Sequence, residues 1–501
     1  MIRTIFFIVC LIVIELIKCH DISSMFLTAN TLYSKGLLAE ACHYYKEVLK
    51  YEPSNADANC NLGSVYLDMD DPINAELYYR NTLSIDDKHQ GALFNLASLL
   101  QDKNSIQQNK DELNEARDLY ERLLVIEPNS IDALANLGAL FHRSSNYSLA
   151  VLTYKKAIDT ILIDNDSNND ENNQILSSLY EHYGRAVLRI ADNKKLLNDS
   201  SVDSLILEAQ QLLNNSLHYN SNNSIAKHML MSILSDNCTN DNYQASDDYI
   251  TRLFDDFSTS FESSLEKLEY HAPSLLSKAI ADQNKLRYSL LIDLGCGTGL
   301  FGAMISNYSN IKIDHCLGVD LSSKMLKLAA EKQVNSKRIY NNLYAGPMTQ
   351  FITALAKYRY NGVLKIDDYN SDIVDVDDIV HNGFDKQFLN GNKQLLNEYP
   401  LLVVAADVFV YVGDLDSVFE SFFELKKKDD IFAFTTEALS EDNDNKSFKL
   451  QANGRYAHKK SYIDKLIEKY QFQIVTYEAV ILRKELGNNV HGHLYLFSCK
   501  N

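Results

Sequence analysis

The sequence predicts two architectures in tandem, a helical repeat array followed by an open sheet covered by helices, α + α/β in class. Three observations carry this. Small and apolar residues of the first half recur at a shift of 34 residues. The run Leu290-Leu-Ile-Asp-Leu-Gly-Cys-Gly-Thr-Gly-Leu-Phe-Gly302 reads as an apolar strand, a glycine turn and the start of a helix. Around it, short apolar runs alternate with amphipathic segments, the pattern of a parallel sheet with helices on both faces.

In the repeat, Ala41 maps to Ala75, Tyr45 to Tyr79, Asn61 to Asn95 and Leu62 to Leu96. Further on, Ala116 maps to Ala150, Tyr120 to Tyr154 and Leu123 to Ala157. The register slips between Ala97 and Ala116, which predicts a loop insertion at Gln101 to Lys110. Gly63, Ala97 and Gly138 stand where two helices must approach closely, and Tyr66, Tyr79, Tyr120 and Tyr154 fill between them. Pro53 and Pro128 end their units, since proline cannot continue a helix. Residues 22–162 resemble tetratricopeptide repeats, four units of them. Residues 163–173 read as a polar loop. The rest of the stretch to 240 reads as a degenerate fifth repeat, with Tyr183-Gly184 in its first helix and Ala209, Leu213 and Ser216 in its second, plus a capping helix. Such an array implies a concave surface for a peptide or protein partner; a spacer or dimerisation element is the alternative.

At 501 residues the chain holds two or three domains. Its net charge of −19 argues against nucleic acid as a partner, because neutralising phosphates takes clustered Lys and Arg. The 8 Cys show neither metal spacing nor a disulfide framework. Residues 1–21 carry a basic start and an apolar core ending near Cys19, which fits a secretory signal peptide and is short for a membrane span. The alternative is an upstream extension of a cytoplasmic protein that starts at Met25. The location is then the secretory pathway if the signal acts, and the cytoplasm otherwise. The sequons at Asn146 and Asn237 are expected by chance in a chain rich in Asn and Ser.

Residues 241–501 carry the chemistry. Gly295, Gly297 and Gly299 let the backbone turn at the strand end and let a ligand come close. A second strand, His315-Cys-Leu-Gly-Val-Asp320, ends in an acid able to accept hydrogen bonds from both hydroxyls of a ribose. Dinucleotide sites read Gly-x-Gly-x-x-Gly without an acid before the first glycine. Here Asp293 stands there, and a carboxylate suits a cationic amino-acid end better than a pyrophosphate. The pattern Asp293-Leu-Gly-Cys-Gly-Thr-Gly299 with Gly318-Val-Asp-Leu-Ser-Ser-Lys-Met-Leu326 resembles the S-adenosylmethionine site of class I methyltransferases, a Rossmann-like fold. With Phe254-Asp-Asp-Phe257, Ala405-Ala-Asp-Val-Phe-Val-Tyr-Val-Gly-Asp-Leu415 and Gly454-Arg-Tyr-Ala-His458, nearly the whole chain after residue 22 is similar to predicted methyltransferases carrying N-terminal tetratricopeptide repeats.

That resemblance implies S-adenosylmethionine as cofactor. Asp293, Gly295, Cys296, Gly297 and Gly299 would hold its methionine end and Asp320 its ribose, with Leu321, Met325 and Ala406 completing the contacts. Ala405 to Tyr411 would line the methyl-transfer side, and Arg455 and Tyr456 the substrate pocket. The helical segment from Tyr249 through Phe261 and Leu265 would cover the cofactor as a lid. Pro347 stands where an acid near adenine is expected; a backbone carbonyl, Asp367 or Asp368 would have to substitute. The stretch 352–399, rich in Asp and Asn, reads as an inserted surface loop. His458, with an unperturbed pKa near ~6.5, is the first candidate for general base, ahead of Asp407 and Tyr411. Arg455 would clamp an acidic substrate or pair with a surface acid. No ligand set accompanies His491 and His493, so no metal is expected. The methyl acceptor is open, a protein or a small molecule. The alternative function is a repeat scaffold whose second domain is catalytically inactive.

Overall fold

The computed structural model describes residues 22–107, 110–163, 169–195, 197, 199–234, 243–258, 261–283, 287–361, 380–382, 400–441, 446–485 and 487–499. The readings of residues 1–21, Asn237, Asp367 and Asp368 lie outside these. The chain divides into two compact units, Met1–Asn220 and Ser221–Asn501.

The first unit is a run of antiparallel helix pairs: α1 (22–34) with α2 (Leu38–Tyr51), α3 (Ala56–Asp68) with α4 (Pro72–Ile85), α5 (Gln90–Gln107) with α6 (Lys110–Ile126), and α7 (Ile131–Arg143) with α8 (Tyr147–Ile163). A fifth pair, α9 (Asp170–Lys195) and α10 (Val202–Tyr219), follows. Helix starts are written locally. Asn55 and Asp71 accept hydrogen bonds from the amides of Ala58 and Asn74, and Pro72 opens α4 where its missing N–H costs nothing. Tyr45, Tyr79, Tyr120 and Tyr154 are fully buried. Two repeat glycines answer these rings: a Cβ on Gly63 would lie 2.7 Å from the Tyr79 ring, and one on Gly138 would lie 2.6 Å from Tyr154. Gly63→Ala should therefore cost about 1–3 kcal/mol through overpacking, read as a lower denaturation midpoint of the array; no loss would mean the Tyr79 ring can shift freely.

Two expectations change here. Gln101 to Lys110 is not simply a loop: α5 continues to Gln107 and α6 begins at Lys110, because the inserted residues contain no Gly or Pro to break a helix. The polar stretch before residue 173 ends earlier, since Asp170 and Glu171 form the first turn of α9, where acids favour a helix N-terminus.

The second unit opens with α11 (Ser224–Leu234), the helix read from the sequence as a cap on the array. Its His228 hydrogen-bonds the Gly454 carbonyl at 2.9 Å and stacks on Tyr249. Then come α12 (Asp247–Phe257), α13 (Phe261–Lys267), α14 (Ala272–Ala281), β1 (Arg287–Leu294), α15 (Leu300–Ile305), β2 (Lys312–Asp320) and α16 (Ser323–Glu331). A small hairpin, β3 (Gln333–Val334) and β4 (Lys337–Arg338), precedes β5 (Asn342–Ala345), α17 (Met348–Asn361), β6 (Val380–Asn382) and β7 (Leu401–Ala405). The chain closes with α18 (Asp416–Leu425), β8 (Ile431–Ala438), β9 (Phe448–Leu450), β10 (Tyr456–His458), α19 (Lys460–Lys469), β11 (Phe472–Glu485) and β12 (Asn488–Cys499).

The main sheet runs β11-β12-β8-β7-β1-β2-β5-β6. All neighbours from β8 to β6 are parallel, and the β11–β12 hairpin joins antiparallel through β12. Both faces are covered. Leu290, Ile292 and Val403 pack under α17, α18 and α19, while Leu291, Leu402 and Val404 pack under α14, α15 and α16. That alternation is why the strand cores read as unbroken apolar runs. The segment 352–399 is shorter as an insertion than its composition predicts. Its first part is α17, which buries Phe351, Ile352 and Leu355, and β6 extends the sheet edge beside β5. The aromatic and aliphatic spacing in α17 outweighs the polar residues that follow it.

Candidate functional site

The strand order steps outward from β1 in both directions, to β2 on one side and β7 on the other. At such a switch point the loops leaving the two strands part and open a crevice beyond their carboxyl ends. Gly295, Gly297 and Gly299, leaving β1, all have left-handed backbone (φ 61°, 53° and 86°). Gly295 is also confined: a Cβ there would lie 2.6 Å from the Val408 side chain beyond β7. Asp320, ending β2, reaches across to the loop. One carboxylate oxygen accepts from the Gly297 amide at 2.8 Å and the other from Ser322 at 2.9 Å.

These segments wall a cavity of about 550 Å³. Gly295, Gly297, Asp320 and Leu321 form one side, and Gly346 to Thr349 continue it after β5. Ala406, Asp407 and Tyr411 line it beyond β7, and Arg455 enters from before β10. Ile250 and Phe254 of α12 and Phe261 and Leu265 of α13 close it with apolar surface. Both helices are tied to the loop and strand end. Thr298 donates to Glu262 at 2.6 Å, Lys332 also bonds Glu262, and Ser322 donates to Asp255 at 2.6 Å.

The lining is acidic. Among the described lining residues, Asp247, Asp320, Asp407, Asp414, Asp416 and Glu420 stand with one guanidinium, Arg455. Burial pushes Asp320 up to about 6 against the pull of its backbone amide donors. Burial also raises Asp407 to about 6, opposed by Arg483 and Arg455. Asp407 has left-handed backbone (φ 58°), a conformation that costs an L-residue energy and here turns its side chain to the cavity wall. Its amide donates to the Thr435 hydroxyl at 2.9 Å, and its carboxylate meets Arg483 at 3.2 Å. Arg483 is 1% exposed and also bonds Glu437 and, at 2.9 Å, Glu485. Arg455 bonds Glu485 as well.

Not every expected residue reaches the cavity. His458 does not: it is fully buried, its Nε2 lies 2.9 Å from the Gly413 carbonyl, and burial pulls it down to about 4. The central sheet's β8 and the short β9 hold β10 on both sides, so its side chains are spent on packing. Tyr456 is buried too and donates to the Tyr243 carbonyl at 2.9 Å. Met325 and Cys296 point into the protein, and Gly299 caps α15 beside the Tyr340 ring. Asp293 lies beneath the loop, where it accepts from Tyr340 at 2.6 Å; burial raises it to about 7. Its place is to brace the loop from below. The sequence reading missed Tyr340, Arg483, Glu437 and Glu485. None lies in a motif, and Arg483 turns inward next to the buried Leu482 at an irregularity in the β11–β12 pairing, which strand alternation does not foretell.

Among the described residues, no group of His, Cys, Asp and Glu side chains is placed to hold a metal, and no helix is long and apolar enough to cross a membrane.

A family model described as TPR repeat matches residues 29–70, and a second, tetratricopeptide repeat, matches residues 56–89. Among solved structures, the MamA protein is similar at 20% identity, covering 40% of this chain and 92% of that one with a TM-score of 0.31. YrrB, described as a TPR protein with an unusual peptide-binding site, is 15% identical over 41% of this chain and 89% of its own, with a TM-score of 0.31. A thermophilic TPR protein of Thermus thermophilus is 15% identical over 42% of this chain and 98% of its own, with a TM-score of 0.29. No curated protein matches the chain. The N-terminal region, with its matched sequence and its paired helices, is an array of tetratricopeptide repeats.

Proposed function

We propose that the second unit binds S-adenosylmethionine at the switch-point cavity and transfers its methyl group, while the repeat array holds a protein substrate or partner. The observation that carries this reading is the Asp320–Gly297 cradle opening into an acid-lined cavity. A phosphate-bearing dinucleotide would be repelled there, whereas a sulfonium and an amino group would be attracted.

The residues fit this cofactor. Gly295 and Gly297 leave backbone exposed where a side chain would obstruct, and Asp320 keeps lone pairs for ribose hydroxyls beside its two amide bonds. Pro347 and Met348 offer apolar surface to a base in place of the missing acid. When bound, the cofactor supplies a methyl group already activated for displacement. The chain's share is to align an acceptor, exclude water with Phe254, Phe261 and Leu265, and take up a proton. Asp407 and Tyr411 face the cavity and are the groups in reach for the last task.

Calorimetry on the whole chain with S-adenosylmethionine, S-adenosylhomocysteine and NAD tests the reading. Micromolar binding of the first two but not NAD supports it; no binding by folded protein turns the assignment to a repeat scaffold with an inactive domain.

The raised carboxylates give a pH dependence with a definite sign. Asp320 and Asp407, both raised to about 6 and both lining the cavity, hold protons at mildly acid pH that a cationic ligand displaces. Affinity for the sulfonium should therefore rise between pH 5 and 7, by up to about tenfold per unit for each proton released. Stability of the ligand-free unit runs the other way. Folded values above the unfolded one mean extra protons bound in the native state, so these groups favour folding less as pH rises from about 4 to 7. Calorimetric titrations and melting curves across that window read both slopes, and parallel slopes would contradict the assignment.

A further inference from the structure

We propose that Arg483 is a positioning residue that, together with Glu437 and Glu485, holds the Asp407 carboxylate at the cavity wall facing the cofactor's sulfonium. This rests on the S-adenosylmethionine reading above.

The geometry is specific. Arg483 divides its donors among three acids: Nη1 to Asp407, Nη2 to Glu437 and Nε to Glu485. A guanidinium presents these donors in a rigid fork, which a lysine does not. Its side chain is 1% exposed, so it has no alternative in solvent. The acids come from three places in the sheet: the end of β7, β8 and β11. Arg455 bonds Glu485 and lies 3.9 Å from Glu437, which leaves three carboxylates to two guanidiniums. Of the three acids, only Asp407 lines the cavity, where Arg455 also enters. Packing alone would not need an aspartate with left-handed backbone pinned from both ends, by Thr435 at its amide and by Arg483 at its carboxylate. The other titratable groups around it include Arg455, Tyr270 and Tyr411; burial holds the Tyr270 phenol far above its usual value. Asp407 is thus one fixed carboxylate of an acidic lining, and its raised pKa makes its own charge sensitive to mild acid.

The test compares a cationic ligand with its neutral counterpart on the full chain. S-adenosylmethionine carries the sulfonium, and S-adenosylhomocysteine is a thioether without that charge. Affinities for both are measured by calorimetry at pH 8 and 5.5, with circular dichroism to confirm folding. Asp407→Asn should reduce the ratio of sulfonium to thioether affinity by about tenfold, about 1.4 kcal/mol, and change thioether affinity less than twofold. Arg483→Met should produce the same loss and Arg483→Lys a smaller one. Acid pH should lower the ratio less in Asp407→Asn than in the wild type, since Asp320 still titrates. Should Arg483→Met not fold, Thr435→Val removes only the hydrogen bond to the Asp407 amide and should lower the ratio by severalfold. An unchanged ratio in Asp407→Asn overturns the proposal. So does a ratio lowered in Asp407→Asn but unchanged in the folded Arg483 and Thr435 variants. If neither ligand binds the wild type, the cofactor reading falls and this proposal falls with it.

Discussion

Asp430→Ala should destabilise the second unit by about 3–5 kcal/mol, the cost of breaking a buried ion pair by removing one partner. Asp430 is fully buried. Arg359 contacts its two oxygens at 2.5 and 3.2 Å, and the amides of Leu401 and Lys427 donate to them at 2.8 and 2.7 Å. Alanine would leave a guanidinium whose side chain is 2% exposed without this counter-charge and would strand two backbone donors. The bond from Arg359 to the Leu425 carbonyl, at 3.0 Å, would remain, but a neutral acceptor does not replace a carboxylate. The pair joins the end of α17 to the starts of β7 and β8, so the loss should appear in the sheet and not in the repeat array. Denaturant unfolding followed by hydrogen exchange at Leu401 reads it. A double replacement, Arg359→Met with Asp430→Leu, should recover much of the loss, since apolar residues of similar volume can replace a buried pair. A single variant as stable as wild type would mean the pair is already hydrated.

Asp320→Ala should weaken S-adenosylmethionine binding by about 2–4 kcal/mol, the loss of two charge-assisted hydrogen bonds to a ribose. The same side chain receives Gly297 and Ser322, so alanine also frees the glycine loop from the end of β2. Asp320→Asn, which keeps an acceptor for one of those amides, should fall between. Calorimetry with both adenosyl ligands decides; an affinity unchanged in Asp320→Ala would place the ribose elsewhere.

What the sequence disclosed follows from distance along the chain. The glycine loop is contiguous, so its turn and its place after a strand are written in adjacent residues. The repeat tyrosines and glycines are not contiguous but periodic, and a period is as readable as adjacency. The contacts that assemble the cavity wall are neither. Arg483 and Asp407 are 76 positions apart, and in the core at the other end of the sheet Arg359 and Asp430 are 71 apart, with no motif around either arginine. His458 shows the converse error. It belongs to a segment that reads as functional, and its neighbour Arg455 does line the cavity. Three residues further on, a two-sided strand pairing has taken the imidazole into the core. A motif locates a stretch of chain; which side of that stretch meets the ligand is decided by strands from elsewhere.

The ties between the covering helices and the glycine loop have a kinetic consequence. Glu262 is shared by Thr298 and Lys332, and Asp255 takes the Ser322 hydroxyl. Those partners sit in or beside the segments that grip whatever occupies the cavity. Where departure of an occupant has to part these helices, the same bonds that steady the binding site must break, and the latch then sets the dwell time along with the fit. Part of that latch is an ion pair near the surface, which dissolved salt screens. Raising ionic strength should then shorten the stay of a ligand even where its own contacts are apolar, which would make the rate of exchange a property of the cover.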